Sequence, residues 1–177
     1  MKHFLGFVLF SFLFSNAGAQ TQPIKLPMTN GKIIYEVIDT TLQGKTKAQL
    51  YSAFKLWAFD NFVDLNHVLQ IDDSTNGIMA GKSQFSYYIN FLERSGVYKI
   101  EFSFTTTLKD GKYKTQFYNF WLSDMVNGGG FSLAYALARP KKLRLHRNYL
   151  VRIEGTMKYL TESLKSRMQS DGVTGSF

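Results

Sequence analysis

Between Val97 and Leu122, apolar and polar residues alternate along two arms joined by Asp110-Gly111. In the first arm Ile100, Phe102, Phe104, Thr106 and Leu108 share one face, and Lys99, Glu101, Ser103, Thr105 and Thr107 share the other. That period of two is the signature of a strand with one buried side. Asp-Gly between two such arms signals a two-residue hairpin turn of type I′, in which both central residues need φ > 0. Closing the turn there predicts the pairs Lys109–Lys112, Leu108–Tyr113, Thr106–Thr115, Phe104–Phe117, Phe102–Asn119 and Ile100–Trp121. The apolar faces of the two arms then coincide, and a slip of one residue would set phenylalanines opposite lysine or glutamine. Asn119 is the misfit on this face, read as a buried amide bonded to a neighbouring backbone group. A lone hairpin is marginally stable, so the remaining chain must add strands and a cover.

The same patterning predicts those additions. Lys32 to Thr40 reads as a first strand with apolar residues on both sides. Thr46-Lys47-Ala48-Gln49 fits a capping box, opening a helix to about Leu65. Its wide stripe of Leu50, Phe54, Trp57, Asn61 and Leu65 is core-facing. Val68 to Asp72 and Ile78 to Phe91 read as two more strands, with Gly81 marking a bulge. Leu133 to Ala138 suggests a helical turn. Asn148 serves as N-cap of a last helix, along which Leu150, Ile153, Met157, Leu160 and Leu164 keep helical spacing. The predicted order is strand, helix, four strands, helix. That is an α+β domain, a five-stranded antiparallel-rich sheet with two helices on one face.

Composition adds a destination. Met1 to Ala19 combines Lys2, an apolar run from Phe4 to Phe14, and Ala17-Gly18-Ala19. This is a signal-peptide pattern with cleavage before Gln20. The run is too short to span a bilayer, which takes about 20 residues. The expected organisation is a leader over 1–19, an arm over 20–30, a single domain over 31–170 and a polar tail over 171–177, in a periplasmic or secreted protein. The chain has no cysteine, so packing rather than disulfides must hold an exported domain. Its net charge is +8, reduced by one if Lys2 leaves with the leader, which favours acidic partners.

Candidate chemistry is sparse. Gly77 to Ser83 resembles a phosphate loop, but three residues instead of four separate its first glycine from Gly-Lys-Ser, and a strand rather than a helix should follow. His67 and His146 have no partner at metal-binding spacing, Asp72-Asp73 reads as a solvated turn, and no nucleophile motif is present. No catalytic residue, metal site or cofactor is expected, and nucleic acid is disfavoured by export. The binding candidates are the aromatics expected on the uncovered sheet face, Tyr88, Tyr118 and Phe120, and the basic run from Arg139 to Arg147 with Lys141, Lys142 and Arg144. Pro140 argues against one continuous basic helix there.

Pro27 to Val37, Thr46 to Trp57 with its Leu50-Tyr51 pair, Gly77-Ile78 with Gly81-Lys82, and Asp110-Gly111-Lys112-Tyr113 resemble an exported domain of unknown function with a TBP-like fold, found in Bacteroides and related bacteria. The likeness spans roughly residues 27–125 and implies a β-α-β4-α architecture. It implies no activity and no site residues, and its TBP-like architecture gives no warrant for DNA binding. Two readings follow. One is a non-catalytic binding or interaction module of the cell envelope, whose partner is a protein, a glycan or an anionic envelope component, acting as monomer or homodimer. The other is a carrier of a small apolar ligand, since sheet-and-helix folds of the START-like kind resemble this topology. Its cavity would lie between sheet and final helix, lined by Phe102, Phe104 and Met157.

Overall fold

A computed structural model describes residues 26–91, 94–124, 128–138 and 140–170, with side chains left out at 89–91, 94–95, 124, 136 and 140–148. The leader, most of the arm and the tail lie outside the described residues. The sequence folds as β1 (Met28–Thr29), β2 (Lys32–Ile33), β3 (Tyr35–Asp39), α1 (Lys47–Asn61), α2 (Leu65–Val68), β4 (Leu69–Asp73), β5 (Ile78–Phe91), β6 (Arg94–Lys109), β7 (Lys112–Asp124), β8 (Gly130–Ser132), α3 (Leu133–Leu137) and α4 (Pro140–Gln169). The main sheet is antiparallel in the order β3-β7-β6-β5-β4, with β8 added to β7. The expected α+β architecture with five principal strands is present. The short β8 is an addition, as is a separate ribbon of β1 and β2, closed by Asn30-Gly31 with both residues at positive φ.

Strands β4 to β7 follow one another as a meander, while β3 sits at the far edge. α1 therefore carries the chain from one edge of the sheet to the other. Its fifteen residues give a rod of about 22 Å, and the four strand spacings it must bridge amount to about 19 Å. The capping box at its start is complete. Gln49 N–H donates to Thr46 Oγ1 at 3.2 Å, and Thr46 N–H donates to Gln49 Oε1 at 2.8 Å. The helix ends at Asn61, four residues short of the expected Leu65, and Phe62 turns its ring back into the core.

α1 and α4 cover the same sheet face. Phe54, Trp57 and Phe62 from α1 and its C-cap meet Phe102, Phe104 and Phe117 as one aromatic cluster. Leu150, Ile153, Met157, Leu160 and Leu164 line the buried side of α4, at the predicted spacing. The indole N–H of Trp57 donates to Ser163 Oγ at 2.9 Å, joining the helices and fixing Trp57 as a core residue. α4 begins at Pro140, so residues 140–147 of the basic run form its opening turns and Asn148 is not its cap. Proline is well placed at the first position of a helix, where its missing N–H is needed by no partner.

The hairpin turn is held from outside. Asp110 accepts the backbone N–H of Lys47 at 2.6 Å, while Gly111 donates to Lys45 O at 2.8 Å and accepts from Leu42 N–H at 3.1 Å. Of the two turn residues only Gly111 has positive φ, so the turn is not the expected type I′. The bond from Asp110 to the start of α1 and those of Gly111 to Leu42 and Lys45 hold this geometry.

Candidate functional site

The predicted register holds from Lys109–Lys112 to Ser103–Tyr118 and then shifts by one, because Glu101 pairs with Trp121 and Ile100 with Leu122. β7 therefore carries one residue more than β6 opposite Phe102. Asn119 sits at that point with φ +56, making a β-bulge whose first residue is left-handed. Asparagine tolerates this conformation better than most residues. The expectation of a buried amide at Asn119 is corrected, since the residue is exposed on the bulge.

The bulge inverts the faces of the residues that follow. Phe120, expected on the open face, is 4% exposed and packs on Tyr35 and Phe102. Trp121, expected in the core opposite Ile100, is 45% exposed on the outer face. Tyr118 does face outward, but it is half-buried and its hydroxyl lies 2.9 Å from Thr105 Oγ1. Tyr88 stands clear of the sheet at 59% exposure, opposite Val97. Its partner on β6 lies six residues from that of Tyr118, roughly 20 Å along the strand. The three aromatics singled out in the sequence are therefore not one cluster. Tyr88 and Trp121 form the exposed aromatic pair, separated in the sheet by Glu101, Gln84, Lys99 and Ser86. Lys141, Lys142 and Arg144 lie in the opening turns of α4, with their side chains outside the description.

Most described charges on the outer face are paired. Lys114 meets Glu36 at 2.7 Å, and Gln116 donates to the same carboxylate at 2.6 Å. Those bonds, that of Lys114 first, hold the Glu36 carboxyl below the usual carboxylate range. Lys99 pairs with Glu101 at 2.9 Å. Asp72, on the helix side, accepts Tyr51 Oη and, at 2.9 Å, Lys55 Nζ, and it too is held low, by the tyrosine bond first. Burial and that same carboxylate push the Tyr51 hydroxyl up to about 12. Asp73 closes the turn by accepting the backbone and side-chain N–H groups of Asn76 at 2.9 and 2.7 Å. His67 lies 2.7 Å from Asp64 on the surface. Each of these groups has a structural partner.

The bulge also opens an edge. On the side of β7 away from β6, β3 pairs as far as Phe117 and β8 begins at Trp121. The gap is a cleft of about 350 Å³ lined by Lys32, Ile33, Asn119, Phe120, Trp121, Ser132, Leu133 and Ala134. Gly130 lets β8 close in, because a Cβ there would lie 2.5 Å from the Trp121 indole nitrogen and 2.9 Å from Leu122 O. Lys32, Trp121 and this cleft were not foreseen. The one available signal was the polar Asn119 on an apolar face. By contrast, the space expected for a carried ligand is filled. Phe104 stacks on Phe62, Phe102 meets the same ring edge-on, and Met157 is fully buried above the sheet.

The model for a family described as "Domain of unknown function (DUF4468) with TBP-like fold" matches residues 25–122. A DUF4468 family protein from Bacteroides ovatus superposes with a TM-score of 0.66 at 12% identity, over 84% of this chain and 92% of its own. A TBP-like protein from Parabacteroides distasonis superposes with a TM-score of 0.54 at 15% identity, over 79% of this chain and 97% of its own. At such identities the likeness establishes the fold. A comparison with curated proteins finds no match.

Proposed function

We propose, for a chain that belongs to the DUF4468 family of domains with a TBP-like fold, a non-catalytic role as an exported module that binds a cell-envelope glycan on its outer sheet face. The observation that carries this reading is the exposure of Trp121 and Tyr88 on the outer face, with Val97 beside Tyr88 and polar side chains between the two rings. A protein partner of ordinary size favours an apolar centre with a polar rim. Here two flat rings stand apart, with amide, hydroxyl and charged groups between them. A sugar chain suits that pattern, because the C–H face of a pyranose packs on an aromatic ring while its hydroxyls take Gln84, Ser86 and Glu101. Lys114 and Lys99 answer Glu36 and Glu101, while the exposed Lys82 on the same face has no ion-pair partner among the described residues, so the face suits a neutral or weakly acidic glycan.

Export rests on the leader pattern of residues 1–19. The carrier reading loses support, because its proposed cavity is occupied by Phe62, Phe102, Phe104 and Met157.

The test is affinity electrophoresis of the mature chain through gels containing envelope polysaccharides. Retardation by at least one polysaccharide is expected, with loss of retardation in Tyr88→Ala/Trp121→Ala at unchanged circular dichroism. Retention that survives the double substitution, or none with any polysaccharide, overturns the reading. A mass spectrum of the protein recovered from its cells should begin at Gln20, and one that keeps Met1 removes the export argument.

A further inference from the structure

The cleft beside the bulge has a chemistry of its own. Its floor is apolar and packed. Ile33, Phe120 and Leu133 are all buried, and Phe120 is wedged between Tyr35, at 5.7 Å between ring centroids, and Phe102, at 6.1 Å. Ala134 and the Trp121 indole form its walls. Polar groups sit only around it: the Asn119 amide, the Ser132 hydroxyl, and the Lys32 ammonium. Ser132 Oγ is already engaged, accepting the N–H of Tyr135 at 3.2 Å.

Lys32 is the only charged side chain among the described lining residues. Unlike Lys114, Lys99 and Lys55, it has no carboxylate partner among the described residues. It is held in place by the β1–β2 ribbon, whose Asn30-Gly31 turn fixes the Thr29–Lys32 pair. Among the described residues, the backbone edge of β7 from Tyr118 to Phe120 also faces no strand on this side. An apolar slot with one unpaired cation and a few convergent polar groups is the usual make-up of a small-molecule site, and 350 Å³ falls at the small end of the usual range of about 300–1,000 Å³.

We infer that this cleft binds a small amphipathic monoanion, a carboxylate on an aromatic or branched aliphatic body, with the body on Phe120 and Trp121 and the carboxylate toward Lys32. A neutral body of the same shape satisfies the floor but leaves the ammonium unanswered. A dianion brings charge for which no second cation is described. This inference stands whether or not the outer face takes a glycan.

The experiment follows the Trp121 indole N–H by two-dimensional NMR of the labelled mature chain. The probes are 3-phenylpropionate, indole-3-acetate and isovalerate, each titrated against its own primary amide. Saturable shifts at Trp121 and Asn119 are expected with at least one acid, which should bind roughly threefold to fivefold more tightly than its amide, as an exposed ammonium supports. Lys32→Gln should abolish that preference and leave amide binding unchanged. Ala134→Trp fills the slot from an exposed position and should abolish both. If Ala134→Trp disturbs the spectrum elsewhere, Lys32→Gln alone decides. No shift at Trp121 with any of the three acids overturns the inference, as does equal binding of acid and amide, or a preference that survives Lys32→Gln. Loss of glycan retention would leave all of these results standing, so the two readings fail separately.

Discussion

The two halves of β7 are built from similar residues and do different work. From Tyr113 to Phe117 the strand has a neighbour on each edge, β3 and β6. Its inner residues Tyr113, Thr115 and Phe117 are buried, and the turn before it is tied to the start of α1. From Asn119 onward the same strand is kinked, borders a cleft, and shows an indole to solvent. Aromatic content therefore does not separate core from surface here. Phe117 and Trp121 differ because one extra residue between them swaps faces, and a packed half became an open half without any change in the kind of residue used.

The largest effect expected is at the packed end. Phe117→Ala removes a ring in contact with Trp57 and Phe102 and should cost about 3–5 kcal/mol in urea unfolding. Trp121→Ala should stay within about 0.5 kcal/mol, as exposed substitutions do. Comparable losses would show that the two halves are equally part of the core.

Next comes the hydroxyl pair. Thr106 and Thr115 are both fully buried, with Oγ1 atoms 3.0 Å apart. Thr115→Val strands the Thr106 hydroxyl and should cost about 1–3 kcal/mol. Thr106→Val/Thr115→Val should recover much of that loss, and a double-mutant cycle measures the coupling. Additive losses would mean that the pair does not hold the packed half.

The bulge itself comes third. Asn119→Ala forces an alanine into left-handed backbone and should cost about 1 kcal/mol. Asn119→Gly should be neutral or slightly stabilising by thermal melting. Deleting Asn119 is the cleaner test. It leaves Phe120 opposite Phe102 and Trp121 opposite Glu101, so the chain should still fold while the cleft closes and the shifts expected with monoanions are absent. A deletion that unfolds the chain would show the bulge to be structural.

The smallest effect is acid sensitivity at the packed end. Asp39, opposite Tyr113, accepts the N–H and Oγ1–H of Thr41 at 2.8 and 2.7 Å and Gln169 Nε2–H at 3.0 Å. Its carboxyl is held below the usual range, by the Thr41 hydroxyl first. Because the folded value lies below the unfolded one of about 3.9, its stabilisation is complete above that pH and fades as pH falls through the folded value. Hydrogen-exchange protection at residues 166–170, corrected for the intrinsic pH dependence of exchange, should therefore fall below about pH 4, and Asp39→Asn should remove that dependence. The far half of β7 should show no matching change.

Most of the fold was legible because its signals are local. The alternation of β6 gave the register near the turn, and Thr46 with Gln49 gave the start of α1. The lines that failed depend on distant partners. The Asp110-Gly111 turn departs from type I′ because Asp110 is spent on α1. The type I′ turn lies instead at Asn30-Gly31, in what was read as the end of an arm and the approach to a strand. Pro140 was read as a breaker, although its position decides whether it starts a helix or ends one. Asn119 was noticed as a polar intruder, but its tolerance of left-handed backbone was the property that mattered. The cleft was invisible for the same reason. It exists only where β2, β7, β8 and α3 converge, and no window of sequence contains all four.

The edge position of β3 has a consequence for the order of assembly. Strands β4 to β7 are each joined to the next by a short connection, so their contacts close small loops and can form early. β3 pairs only with β7, Tyr35 against Phe117, a loop of about eighty residues whose closure entropy must be met before any contact rewards it. Lys45 Nζ then donates to Met168 O at 2.8 Å, across a still longer span. The first long strand of the domain is thus among the last to be seated, and a growing chain cannot complete its sheet until β7 has been made.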